Sequence, residues 1–124
     1  MERRRHPRAV IDNGAYAVML AGRHQRLGLL IDIGPDGLAC RYLADESVPL
    51  EIEAVELFAP RLEFRSDPIP CSTRSAFVMP VERSFSLIPM QRHSFSFESP
   101  SSVNRAQIDQ FIRLHTARKG PGKK

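Results

Sequence analysis

A chain of 124 residues is the size of one domain, and 42% hydrophobic with 26% charged residues suits a folded globular protein, which excludes wholesale disorder. No apolar run approaches the roughly 18 residues that span a membrane, and Ala9-Val10-Ile11-Asp12-Asn13 behind the basic start is no signal-peptide core. The cytoplasm is therefore the expected compartment, without membrane insertion. The net charge of +4 is unevenly spread: seven acids against two arginines leave −5 between Asp45 and Asp67, while both termini are basic.

In chain order, residues 1–13 form an arginine-rich arm, Glu2-Arg3-Arg4-Arg5-His6-Pro7-Arg8. Arginine offers a planar fork of donors that matches phosphate oxygens, stacks on flat bases, and can pair with O6 and N7 of guanine. The arm contains no lysine, which would supply charge without that geometry. A solvated basic terminus is the plainer alternative.

Residues 14–117 read as a β-body with one terminal helix. Ala15–Leu20 is a strand, Ala21–Arg26 a hairpin loop, and Leu27–Ile31 a strand too uniformly apolar to face water on either side. Gly34-Pro35-Asp36-Gly37 is a turn in which Gly37 is expected to supply a positive φ. Asp32 stands at the end of the strand before it, where a carboxylate could accept the paired N–H donors of a guanine edge. Leu38–Leu43 resumes as a strand. Leu50, Ile52 and Ala54 alternate with Glu51 and Glu53, a half-wet strand. Leu62 with Phe64, Phe85 with Leu87, and Phe95 with Phe97 repeat that alternation. The prolines from Pro49 to Pro100 are expected between these runs, where they cost no ladder hydrogen bond.

Beyond Pro100 the period changes. Ile108, Phe111, Ile112, Leu114 and His115 form one helical stripe, with Ser101 as N-cap. Residues 118–124 are expected to be a basic disordered tail. So many short strands in a short chain predict a small closed barrel, because closure removes exposed edges.

Cys40 and Cys71 form no CxxC pair and are expected to be buried reduced thiols, and the four histidines supply no zinc-ligand spacing. No nucleophile is paired with a base, and there is no Gly-rich phosphate loop, so an enzyme is not expected. His115 is expected on the core stripe and His93 on a strand surface.

The arm and the turn have a joint pattern. Arg4-Arg5-His6-Pro7-Arg8 is an RxxxR, and Asp32-Ile33-Gly34-Pro35-Asp36-Gly37 follows about two dozen residues later, close to a [D/N]xSxxG. With the strand Gln91–Glu98 and the helix Asn104–Ile112, this resembles the PilZ family over roughly residues 2–116. That resemblance implies a mainly β chain: a six-stranded antiparallel barrel with one C-terminal α-helix, without a cofactor. It further implies a cyclic di-GMP ligand held by Arg3, Arg4, Arg8, Asp32, Gly34 and Gly37, with Arg4 and Arg8 on phosphates and guanines. Signal output would pass to an unidentified downstream protein; specific nucleic-acid binding is not expected.

Two departures stand out. The family's serine is Gly34 here, which removes a hydrogen bond worth about 0.5–1.5 kcal/mol, and Ser94 stands where a glycine is expected before the last strand. The alternative reading is a degenerate PilZ-like adaptor that works through protein contacts without nucleotide.

Overall fold

Tight turns set the first ladder. In the computed structural model, which describes residues 9–10, 14–44, 51–79 and 89–119, β2 (Tyr16–Ala21) reverses into β3 (His24–Gly34) through Gly22 and Arg23 alone. The loop expected over Ala21–Arg26 is shorter because Gly22 adopts a φ of 61° and lets Ala21 pair with His24. Glycine at the first turn position suits the twist of a two-residue hairpin.

β3 reverses into β4 (Gly37–Leu43) through Pro35 and Asp36, with Gly34 paired to Gly37. The positive φ expected at Gly37 is not found; the described glycines with one are Gly14 and Gly22. Proline holds its own φ at about −65°, so Pro35 and Asp36 complete the reversal and Gly37 already belongs to a strand.

The remaining strands are β1 (Ala9–Val10), β5 (Ala54–Ala59), β6 (Phe64–Arg65), β7 (Ile69–Val78) and β8 (Met90–Phe97). The ring runs β3–β2–β5–β7–β8–β4 and closes through β3–β4, every pairing antiparallel. This is the expected six-stranded barrel. β1 lies outside the ring against β3, and β6 against β5.

Several elements differ from the sequence expectation. Glu51 and Glu53 are exposed around buried Ile52 as expected, but the regular strand starts at Ala54 and carries the alternation through Val55, Leu57 and Ala59. Leu62 closes a short 3-10 turn, Pro60–Leu62, and only Phe64 and Arg65 pair as strand. β7 has no counterpart in the expectation, and Pro70 lies inside it, paired with Ala54. A proline fits there because its carbonyl still serves the ladder, accepting from the Glu98 N–H at 2.8 Å. The strand expected at Phe85 and Leu87 lies outside the described residues. Leu27, expected to be sheltered on both sides, is 54% exposed. Only one face of β3 meets the core, so its apolar outer positions remain partly in water.

Inside, Met19, Leu30, Leu38, Leu57 and Phe95 are fully buried. Gly28 makes room for them: a Cβ there would lie 2.9 Å from Cys40 Sγ and 3.1 Å from Met19 Cε. Gly28→Ala is expected to destabilise the barrel by about 1–3 kcal/mol, read as a lower denaturation midpoint. The free thiols of Cys40 and Cys71 are buried, as expected, and burial pushes both up to about 12, so they remain protonated at neutral pH.

The helix α1 (Ser102–Lys119) extends through Lys119, beyond the start expected for the tail. Its start is a reciprocal cap: Asn104 N–H donates to Ser101 Oγ at 3.0 Å, and Ser101 N–H donates to Asn104 Oδ1 at 3.2 Å. Asn104 Nδ2 also donates to the Pro68 carbonyl, and Gln107 Oε1 accepts from Asp67 N–H, which ties α1 to the β6–β7 connection. Ile108 and Phe111 then join the barrel core, and buried His115 accompanies them on the stripe.

Candidate functional site

The outer face of β3, β4 and β8 gathers the sequence-predicted residues that are described. The β3–β4 register slips by one residue between Leu30 and Asp32, which makes Ile31 the extra residue of a bulge. Leu30 and Ile33 are buried in the core, and Asp32 between them pairs with Ala39 on the opposite face. Ala39 in turn pairs with Ser94 on β8. One row further toward the hairpin turn, Gly34, Gly37 and Ser96 lie side by side. That row carries little side-chain bulk, so a flat group could approach the backbone closely.

The neighbouring row in the other direction carries charge. Arg41 on β4 faces Arg92 on β8 directly across the ladder. Arg92 Nη2 lies 3.9 Å from Asp32 Oδ2. Like charges directly opposite in a sheet are unfavourable, and among the described residues Asp32 is the carboxylate that pairs with Arg92. The face is therefore suited to an anion. Sequence reading missed both arginines. Each lies two residues from a position on the Asp32 row, Arg41 from Ala39 and Arg92 from Ser94, which puts it on the same face of its strand; only the cross-strand register makes them neighbours.

β1 ties the N-terminal segment to this face. Ala9 pairs with Ile33 and Val10 with Asp32. Arg3, Arg4 and Arg8 lie outside the described residues. Asp32, Gly34 and Gly37 are brought together at one end of the face, and Ser94 stands in the middle of β8 rather than ahead of it.

His93 is a correction. It is buried, not a strand-surface residue, and points into the barrel, stacked 4.1 Å from the Phe95 ring. Its Nδ1 is 2.9 Å from the Tyr42 hydroxyl and its Nε2 is 2.8 Å from Thr73 Oγ1, so the ring links β4, β8 and β7. Burial lowers its pKa from the usual 6.5. The unfolded chain therefore takes up this proton first as pH falls, so the contribution is complete above about 6.5 and is lost as pH drops toward the lowered folded value. Denaturation midpoints should accordingly fall between pH 7.5 and pH 5.5, with a shallower fall in His93→Gln.

A cleft of about 200 Å³ separates the hairpin turn from α1, lined by Pro35, Arg105, Ile108, Asp109 and Ile112. It is small beside the roughly 300–1,000 Å³ of sites that enclose drug-sized ligands. The open outer face is the better candidate for a larger anion.

Solved structures share this architecture. The PilZ domain of Escherichia coli YcgR, solved with c-di-GMP, superposes with a TM-score of 0.74 at 18% identity, covering 98% of this chain and 97% of that one. The fold is that of a PilZ domain. The Klebsiella pneumoniae MrkH–c-di-GMP complex matches the PilZ-like domain with a TM-score of 0.71 at 16% identity, covering 97% of this chain and 57% of that one. The Bacillus subtilis inhibitor of motility MotI/DgrA matches at 0.65 and 13% identity, with 96% and 54% covered. No protein-family model and no curated protein matches the sequence. No described helix of the PilZ-like domain is long and apolar enough to cross a membrane.

Proposed function

We propose that this chain is a cyclic di-GMP receptor that holds the dinucleotide on the outer face of β3, β4 and β8, with the arginine arm folded over it. The carrying observation is the facing pair Arg41 and Arg92 beside the carboxylate of Asp32, at the place where β1 leads the chain back toward the arm. A ligand with two phosphates meets the two facing guanidiniums, and its guanine N–H donors suit Asp32. Arg8 immediately precedes Ala9, which pairs beside Ile33. The arm is thereby tethered within reach of the Asp32–Gly37 segment. Arg4 and Arg8 are assigned to phosphate and guanine, with Arg3 and Arg5 as supporting charge. The occupied surface then speaks to a downstream protein. Titration calorimetry on the full chain should give low-micromolar affinity, about −8 kcal/mol. Neither heat nor a thermal shift at saturating ligand would overturn the reading.

One observation favours a second reading, an adaptor that no longer takes nucleotide: Gly34 lacks the family's hydroxyl, and Asp32 is already engaged by Arg92. Gly34→Ser separates the two. For a receptor it tightens an existing affinity tenfold or less, in line with about 0.5–1.5 kcal/mol. For an adaptor it creates binding where the natural chain has none.

A further inference from the structure

We infer that Ser94 and Ser96 on β8 touch the ligand and supply the hydroxyl that Gly34 lacks, Ser94 to a phosphate and Ser96 to a guanine edge. These roles rest on the receptor reading and fall on two residues outside both motifs. Within β8, His93, Phe95 and Phe97 are buried, so Ser94 and Ser96 between them share the outer face with Arg92. Ser94 pairs with Ala39, which pairs with Asp32; Ser96 pairs with Gly37, which pairs with Gly34. The serine missing at position 34 is thus matched by two serines that stand two strands away, in the rows of Asp32 and Gly34. Neither hydroxyl has a hydrogen-bond partner among the described residues, although each carries one donor and two acceptor lone pairs.

Their surroundings assign them different partners. Ser94 is two residues from Arg92 on one face, about 7 Å along the strand, and Arg92 faces Arg41. A phosphate held by these guanidiniums lies within reach of the Ser94 hydroxyl, which donates to one of its oxygens. Asp32 shares the row of Ser94 but lies beyond Ala39, on β3. Ser96 stands beside Gly37 and Gly34, the row with little side-chain bulk, where a flat base can lie on the backbone. A guanine across the two glycines brings its O6 and N7 acceptors to the Ser96 hydroxyl. Charge agrees with this order. Glu98 follows Ser96 at the end of the strand away from Arg92, and its carboxylate accepts from Ser72 Oγ. The phosphate therefore belongs at the arginine end and the neutral base at the carboxylate end. Ser72, paired with Ser96 from β7, has its hydroxyl committed to Glu98 and serves as the control.

The test is calorimetric titration of cyclic di-GMP into the full chain, with denaturation of each variant alongside. Ser94→Ala should weaken binding about tenfold or more, as for a hydrogen bond to a charged group, and Ser96→Ala about two- to tenfold. Both side chains are half-buried and bond nothing in the described protein, so denaturation midpoints should stay at the natural value. Ser94→Thr keeps the hydroxyl and should keep the affinity, and Ser72→Ala should leave binding unchanged. Unchanged affinity in the Ser94→Ala, Ser96→Ala double variant would overturn the inference, as would an equal loss in Ser72→Ala. Tighter binding in the double variant would also overturn it, by showing that these side chains obstruct the ligand. A natural chain that binds no better than the double variant strikes the two serines alone, whereas a natural chain that takes no ligand strikes the receptor reading with them.

Discussion

Replacing Arg4 and Arg8 together by alanine is expected to abolish measurable cyclic di-GMP binding in the full chain. Hydrogen bonds to charged groups contribute about 1.5–3 kcal/mol each, and a guanidinium on a phosphate makes two at once. At two bonds per arginine, loss of both side chains removes about 6 kcal/mol or more from a total near −8 kcal/mol, which leaves affinity weaker than millimolar. The Arg4→Lys, Arg8→Lys pair separates charge from geometry. It keeps the positive charge but not the fork, so affinity should fall between the natural chain and the alanine variant. Calorimetry with all three proteins reads this directly. Alanine and natural chains of equal affinity would place the ligand elsewhere or exclude it.

The largest expected stability effect is at the helix. Phe111 is fully buried, its ring 5.3 Å from Phe64 and 4.4 Å from His115. It joins α1 and the β6 region to the barrel core. Truncating a buried phenylalanine costs about 3–5 kcal/mol, the lost transfer energy plus the cavity left behind. Against a total stability of about 5–15 kcal/mol, Phe111→Ala should bring the chain close to unfolding, while Phe111→Leu keeps most of the volume and costs much less. Urea denaturation gives both values. An Ala variant within 1 kcal/mol of the natural chain, by the usual range for such sites, would mean that the helix is not part of the cooperative core.

Much of this fold is written locally. Gly22 and Pro35-Asp36 mark two of the hairpin turns, Ser101 and Asn104 mark the helix start, and Ile108, Phe111 and His115 trace one stripe at helical spacing. Each depends on residues within a few positions of one another, so a single sequence suffices to read it. β7 was not legible for the same reason: its outer half has no buried side of its own, and its residues are a strand because β8 pairs with them.

The candidate site divides in the same way. The RxxxR arm and Asp32–Gly37 stand out in the sequence because arginine forks and turn residues have local signatures. Arg41, Arg92 and Asp32 are sixty residues apart at the extremes, and nothing local pairs them. The Ile31 bulge and the β4–β8 register bring them together. His93 shows the limit most plainly. Alternation with Ser94 places it on one face of β8, but whether that face meets water or the barrel interior is settled by ring closure. Closure turned a presumed surface histidine into a buried link between three strands, because the inward face of a closed sheet has no water to meet.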